Sequence, residues 1–480
     1  MKKVSVAGAL VVLSGIWTGM AWYSGNRAEQ LSEQFVDRLN ARLAHLGEHW
    51  KLRSIVERVS FDRGVFSSIG TYRVEISQIS PDGHAAAQRD LVLVNQMRHG
   101  PFPFPDSLSG GVSPLMVAGR YTLTTPAGTG DVSHVTGEYR VSYAGTVGST
   151  FVVAPLEWEQ DFSRLVLSEV HGGLTYESAA DHAAFSLEAE RISMSTVRQG
   201  SSSTVVWQGV EFDSDLRTRS AEASESRHAL SVRNWTQTSE YAPRIQIRRT
   251  AFTVDVAQGN RTLDIKMGFD LDGLALEDRE LGSIKLMFDA QRMDVSSIHA
   301  LTGIYRTAAE RTTENFGPGQ VPQFTSEEKS LIQKHVQAWL AANPILAVQP
   351  FEVRTANGAS ALDLRPEFAE SSLPDGMLVD TVLRGVLRLN AKLMLSKANF
   401  ADLLSNGALM HGVPQEEAIR VGRSQAESIA ATLMEAGWAK VEGDHMVIRL
   451  EFEEGEITLN DEKIPVERLL DRLFVSWSGR

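Results

Sequence analysis

Between Val4 and Tyr23 the chain carries no charged side chain, while Lys2 and Lys3 precede the run and Arg27 and Glu29 follow it. Coiled as a helix at ~1.5 Å per residue, the run reaches about 30 Å, the hydrocarbon thickness of a bilayer, with its backbone groups bonded internally. Trp17, Trp22 and Tyr23 crowd its C-terminal end, where amphipathic rings favour the lipid–water boundary. Residues 1–26 are therefore expected to be a single-pass membrane anchor. The paired lysines keep the N-terminus in the cytoplasm by the positive-inside rule, and the chain from about Ser24 onward is exported. The rival reading is a cleavable signal peptide, because Gly19 and Ala21 have the spacing a signal peptidase accepts. The length of the run and the bulky Trp22-Tyr23 pair suit an anchor better. Gly15 and Gly19 form a GxxxG through which two such helices could approach as a homodimer, although glycine is common in membrane helices generally.

The 480 residues are too many for one ordinary core and predict two or three folded units. With 42% hydrophobic and 22% charged residues the composition is globular. A net charge of −13 argues against nucleic acid, which needs a basic face. The densest basic point of the β-rich region, Ile247-Arg248-Arg249, reads as a solvated strand end. Cysteine is absent, which removes disulfides, thiolate metal sites and cysteine nucleophiles.

Beyond the anchor, Leu31, Phe35, Leu39, Leu43 and Leu46 recur at helical spacing up to about Trp50. His45-Leu46-Gly47-Glu48-His49 formally matches an inverted zinc-protease motif, but a glycine interrupts the helix and no third ligand is evident, so it reads as chance. The period then becomes two. Tyr72/Val74/Ile76, Leu91 to Val94, Tyr139 to Tyr143, Ala184 to Leu187, Ile245/Ile247, Phe252/Val254/Val256, Leu263 to Leu271 and Ile284/Leu286/Phe288 read as strands. Asp82-Gly83, Gly259-Asn260 and Asp272-Gly273 read as turns between some of them. Short turns imply antiparallel neighbours, hence a long meandering, curved sheet with one apolar face.

His99-Gly100-Pro101-Phe102-Pro103-Phe104-Pro105 interrupts this pattern, as an edge strand or crossing loop or as a partner-docking segment. A helical insert follows over 296–345. Its first helix runs from Ser296 to Asn315, and its second is opened by a Thr325/Glu328 capping box and stopped by Pro344. Within it His335 is a boundary residue. Strands return at Phe351 to Val353, Ala361 to Leu364 and Val386 to Leu395. Pro414 opens a helix whose Ile419, Gly422, Ala426, Ile429 and Leu433 face one way. Strands at Val447 to Phe452 and Glu456 to Leu459 and a short helix from Pro465 to Phe474 complete the chain. The fold class expected is α+β, predominantly antiparallel β. Its divisions are a membrane anchor (1–26), a helix and β-rich region (27–295), a helical insert (296–345) and a C-terminal α+β region (346–480).

The anchor's ending Trp17 to Gly25, then Arg63-Gly64-Val65-Phe66-Ser67-Ser68, then His99-Gly100-Pro101-Phe102-Pro103, and finally Glu454 to Asn460 resemble, in this order, the YdgA-like family of Gram-negative inner-membrane proteins. The resemblance implies an anchored protein of the inner membrane with its bulk in the periplasm, and no catalytic residue, because the family is one of unknown function. It also implies backbone-constrained turns at Gly64 and Gly100 and a core position at Phe66.

Three functions are compatible with these features. A non-enzymatic envelope protein would bind membrane lipid or another amphiphile in a β-sheet trough, because a one-sided apolar sheet needs covering and the expected helices are few. An envelope scaffold or assembly factor would bind a protein partner, and a filled core would distinguish it from a trough. An enzyme is the least supported, because the twelve histidines are scattered and no GxSxG or Gly-rich phosphate loop occurs. No catalytic, cofactor-binding or metal-binding residue is assigned.

Overall fold

A computed structural model describes helical positions scattered between 23 and 43, and then residues 52–79, 85–100, 115–125, 133–160, 162–198, 201–220, 223–316, 321–370, 385–453 and 455–465. Residues 4–22, His45 to His49, Asp82-Gly83, Pro101 to Pro105 and 466–474 lie outside them, so the expected anchor, zinc-protease match, proline run and last helix do too. Among the described residues, no helix is long and apolar enough to cross a membrane. The chain divides into two compact units, Met1–Arg198 with Gly209–Arg217, and Gln199–Gln208 with Thr218–Arg480.

The first unit is an antiparallel meander. Its strands are β1 (Leu52–Arg63), β2 (Ser67–Ile79), β3 (Ala85–His99), β4 (Leu115–Thr124), β5 (Ser133–Ser142), β6 (Thr146–Val153), β7 (Leu156–Gln160), β8 (Ser163–Leu167), β9 (Val170–Glu177) and β10 (His182–Arg198). From β1 to β6 each strand pairs with the next. β6 with β7, and β8 with β9, then form the arms of one long bent hairpin, and β10 runs back along β9 and β8. Because side chains alternate across a strand, this register sorts them by face. Tyr72, Leu93, Leu123, Val135, Val153, Val170 and Ala189 stand opposite one another in a single apolar row.

The neighbouring rows pair rings with glycines. Tyr121 lies over Gly137, Tyr139 over Gly119 and Phe151 over Gly172, each directly opposite its partner. Burial pushes the Tyr139 phenol well above its ordinary pKa, and its hydroxyl donates to Asn95 at 3.1 Å. The N-terminal helical positions touch this sheet. Gly25 packs on the His99 ring, Glu29 pairs with Arg63 at 3.0 Å, and the Asn40 amide takes both the carbonyl and the N–H of Val56, each at 2.8 Å.

The second unit repeats the plan with helices added. β12 (Ala223–Ser239), β13 (Ile245–Gln258), β14 (Thr262–Leu276), β15 (Arg279–Asp294), β16 (Ile345–Thr355), β17 (Gly358–Phe368) and β18 (Val386–Ser396) pair in chain order, and β20 (His445–Glu453) adds to β18. β19 (Lys440–Glu442) and β21 (Glu456–Leu459) both pair with β20, and β22 (Glu462–Ile464) pairs with β21. β11 (Ser201–Ser220) contributes residues to both units. Helices α1 (Val295–Phe316) and α2 (Ser326–Ala341) leave the sheet between β15 and β16, which pair with each other nonetheless. Likewise α3 (Lys397–Met410) and α4 (Gln415–Glu435) lie between β18 and β20. Each helical pair is an excursion from an otherwise sequential sheet.

The sequence places α1 and α2 well, and the capping box is present. The Glu328 N–H donates to Thr325 Oγ1 at 3.2 Å, and Glu328 Oε2 accepts from the Thr325 N–H at 2.7 Å. Several other expectations are corrected. Asp272-Gly273 is a bulge inside β14, where the register shifts and Gly273 takes φ +65°; the turn to β15 is Glu277-Asp278. Ile247-Arg248-Arg249 lies within β13 rather than at its end, with Ile247 buried, while its arginines are solvated as expected and pair with Glu280 and Asp270. Phe66 is exposed at the β1–β2 turn and is not a core residue, although Gly64 does make that turn, its N–H donating to Ser67 O at 2.8 Å. On α4 Ile419 is exposed and the buried stripe is Ala418, Gly422, Ala426 and Ala430.

A Cβ on Gly137 would meet the Tyr121 ring at 2.4 Å and the Thr150 carbonyl oxygen at 2.8 Å, and the second cannot rotate away. Gly137→Val should cost about 1–3 kcal/mol in denaturant unfolding. The Arg311 guanidinium, with help from the Thr325 N–H, holds the Glu328 carboxyl down to about 2 from its ordinary 4.5. A carboxyl with a depressed folded pKa stabilises above its unfolded value, and that contribution is lost as pH falls through the folded one. Glu328→Gln should therefore lower stability at pH 7, and its deficit against the parent chain should close between pH 4.5 and about 2.

Candidate ligand-binding face

Across the second unit the register brings one apolar residue from each of eight strands into a line. Leu230 faces Phe252, Phe252 faces Phe269, and Phe269 faces Leu286. The line continues through Phe351, Leu362, Leu393 and Ile448. A second line beside it runs Val254, Met267, Phe288, Val348, Leu364, Ala391 and Leu450. The opposite face is a ladder of alternating charge, in which Arg227, Asp255, Lys266 and Asp289 follow one another, as do Asp270, Lys285 and Glu352. Cross-strand opposite charges stabilise that register and make its face the solvated one.

The apolar face is covered only in part. Around Leu346, Phe368 and Val386 it is packed by Val336, Trp339 and Leu340 of α2. Around Leu395, Met446 and Ile448 it is packed by Ala430 and Leu433 of α4. Leu230 and Phe252 remain 39% exposed and Phe351 38%. The rows offer hydrocarbon, thioether and ring surface, which complements apolar groups rather than groups that form hydrogen bonds.

Two buried polar clusters lie elsewhere. Ser68 Oγ and His99 Nε2 are 3.0 Å apart, a contact of the kind that activates a nucleophile, but both side chains are buried and Gly25 packs on the imidazole. The pair ties β2 to β3. In the second unit Asn399, at the start of α3, donates to Thr355 Oγ1 and to the Gly358 carbonyl at 3.1 Å each, while Thr355 donates to Asp402 at 2.7 Å. This cluster fastens α3 to the β16–β17 turn. Sequence reading did not single out either cluster, because Ser68, His99 and Asn399 have no local spacing that joins them.

The bacterial family described as "Bacterial protein of unknown function (DUF945)" matches residues 1–467. The chain belongs to this family. Among curated proteins it is similar to Protein YdgA of Escherichia coli (strain K12), 21% identical over 97% of this chain and 95% of that protein. It is also similar to the uncharacterized protein YihF of the same organism, 20% identical over 98% of this chain and 99% of that protein. The resemblance read from the short motifs thus extends along nearly the whole chain. No solved structure matches.

If the partly exposed residues serve a ligand rather than the core, removing them should be cheap. Phe252→Ala and Phe351→Ala should each cost about 1–2 kcal/mol, against about 3–5 for Phe368→Ala in the packed region, measured by urea unfolding.

Proposed function

We propose that the chain is a non-enzymatic protein of the bacterial envelope, anchored in the inner membrane by Val4 to Tyr23, that holds the acyl chains of membrane lipid against the apolar face of its second unit. The observation that carries this reading is the cross-strand apolar line whose members Leu230, Phe252 and Phe351 stay open to solvent. Exposed apolar surface is costly in water and calls for an occupant. An acyl chain fits because the line is long, one-sided and without hydrogen-bonding demands. Placement beside a membrane rests on the uncharged run after Lys2 and Lys3, which would leave the sheet units in the periplasm.

The test is mass spectrometry of organic extracts from the full-length protein, purified gently from membranes, beside a Phe252→Glu/Phe351→Glu variant whose fold is checked by circular dichroism. Stoichiometric lipid on the parent chain that is lost from the variant is the expected result. Equal lipid on both would assign it to the membrane segment and sink the reading. A lipid-free parent chain with a protein crosslinked to this face would turn the face into a partner surface.

A further inference from the structure

The turn between β1 and β2 presents Val65 at 44% and Phe66 at 48% exposure, an unusual use of two large apolar residues at a hairpin tip. Its level along the chain is set by neighbouring contacts. The Phe66 carbonyl accepts from the His99 N–H at 3.0 Å, and the His99 ring packs on Gly25. Gly25 stands two residues beyond the uncharged run, and the helical Tyr23 that ends the run is itself 62% exposed.

Direction follows from three contacts in order. Gly25 meets His99, Glu29 meets Arg63 and Asn40 meets Val56, so the helical positions run antiparallel to β1, away from the hairpin tip. The tip therefore lies at the end of the unit where Tyr23 and Gly25 stand. Two helical residues span about 3 Å, and the headgroup zone of a leaflet is roughly 5–7 Å deep. Phe66 thus falls within reach of the zone in which Tyr23 ends the run.

We propose that the β1–β2 hairpin tip, through Val65 and Phe66, inserts into the outer interfacial layer of the same bilayer that holds the N-terminal run. The first unit then contacts the membrane at two points, and the second contact stops it from swivelling about the first. Apolar side chains buried at the headgroup boundary stabilise such contacts in proportion to the area they remove from water. The inference rests on the anchored reading above.

The absence of cysteine makes the test direct. Leu13→Cys, Phe66→Cys and Glu57→Cys each place one environment-sensitive fluorophore on the full-length chain, reconstituted into vesicles of phosphatidylethanolamine and phosphatidylglycerol. Emission is followed with spin-labelled acyl chains as the membrane quencher and iodide as the aqueous one. The expected result is loss of signal to the lipid quencher at positions 13 and 66, with protection from iodide, and the reverse at the exposed Glu57 position. Lipid quenching at 13 with iodide quenching at 66 would overturn the hairpin contact and leave the anchor standing. Iodide quenching at 13 as well would overturn both.

Discussion

Sequential antiparallel pairing is the constraint on which the rest of the structure depends. In both units the strand that satisfies a backbone edge is usually the next strand along the chain, so most hydrogen-bond ladders close between sequence neighbours. Two consequences follow together. The register is carried from strand to strand, and the twofold side-chain period then divides every residue between two faces. In the second unit that division is nearly complete, with the Leu230 to Ile448 line on one side and the Asp255–Lys266–Asp289 ladder on the other.

Helices do not build these sheets; they attach to them. Both pairs in the second unit leave between strands that are already neighbours, so their positions depend on side-chain contacts rather than on chain connectivity. The α1–α2 pair is held by the Arg311–Glu328 fork together with the apolar cluster around Leu340. The α3–α4 pair is held differently. Asn399 fastens α3 at one end, and α4 approaches α3 so closely at Gly422 that a Cβ would sit 2.1 Å from Ser405 Oγ. Beyond α4, Asn460 takes φ +50°, donates from its amide to the Trp438 carbonyl and accepts from the Arg449 N–H, which secures the β21–β22 hairpin. With the helices occupying two limited regions, the apolar face is left partly open at Leu230 and Phe252 on β12 and β13 and at Phe351 on β16.

Where the sequence misleads, the cause is physical. α3 escapes notice because its buried side chains are Asn399, Ser405 and Asn406, so a search for apolar residues at helical spacing points to the wrong face. The stripe of α4 is alanine and glycine for a related reason: two backbones in close contact have no room for Ile419, which is left outside. Asp272-Gly273 has the composition of a turn, yet a glycine at positive φ serves a bulge equally well, and only the partner strand decides between them. Phe66 is an apolar residue in a motif, which suggests a core, but its place at a hairpin tip exposes it.

By itself the sequence determined the uncharged N-terminal run, the change from a helical to a twofold period, the one-sided antiparallel sheet and the capped helix at Thr325. These are local properties, carried by spacing and by the chemistry of neighbouring residues. Only the tertiary structure decided which apolar positions meet across eight strands, because pairing depends on bulges such as those at Gly273 and between Leu286 and Phe288. The same holds for the buried contacts Ser68–His99 and Asn399–Thr355, which join residues 31 and 44 positions apart. Sequence spacing carries no signal for such contacts, since their partners become neighbours only when the sheet sets its register.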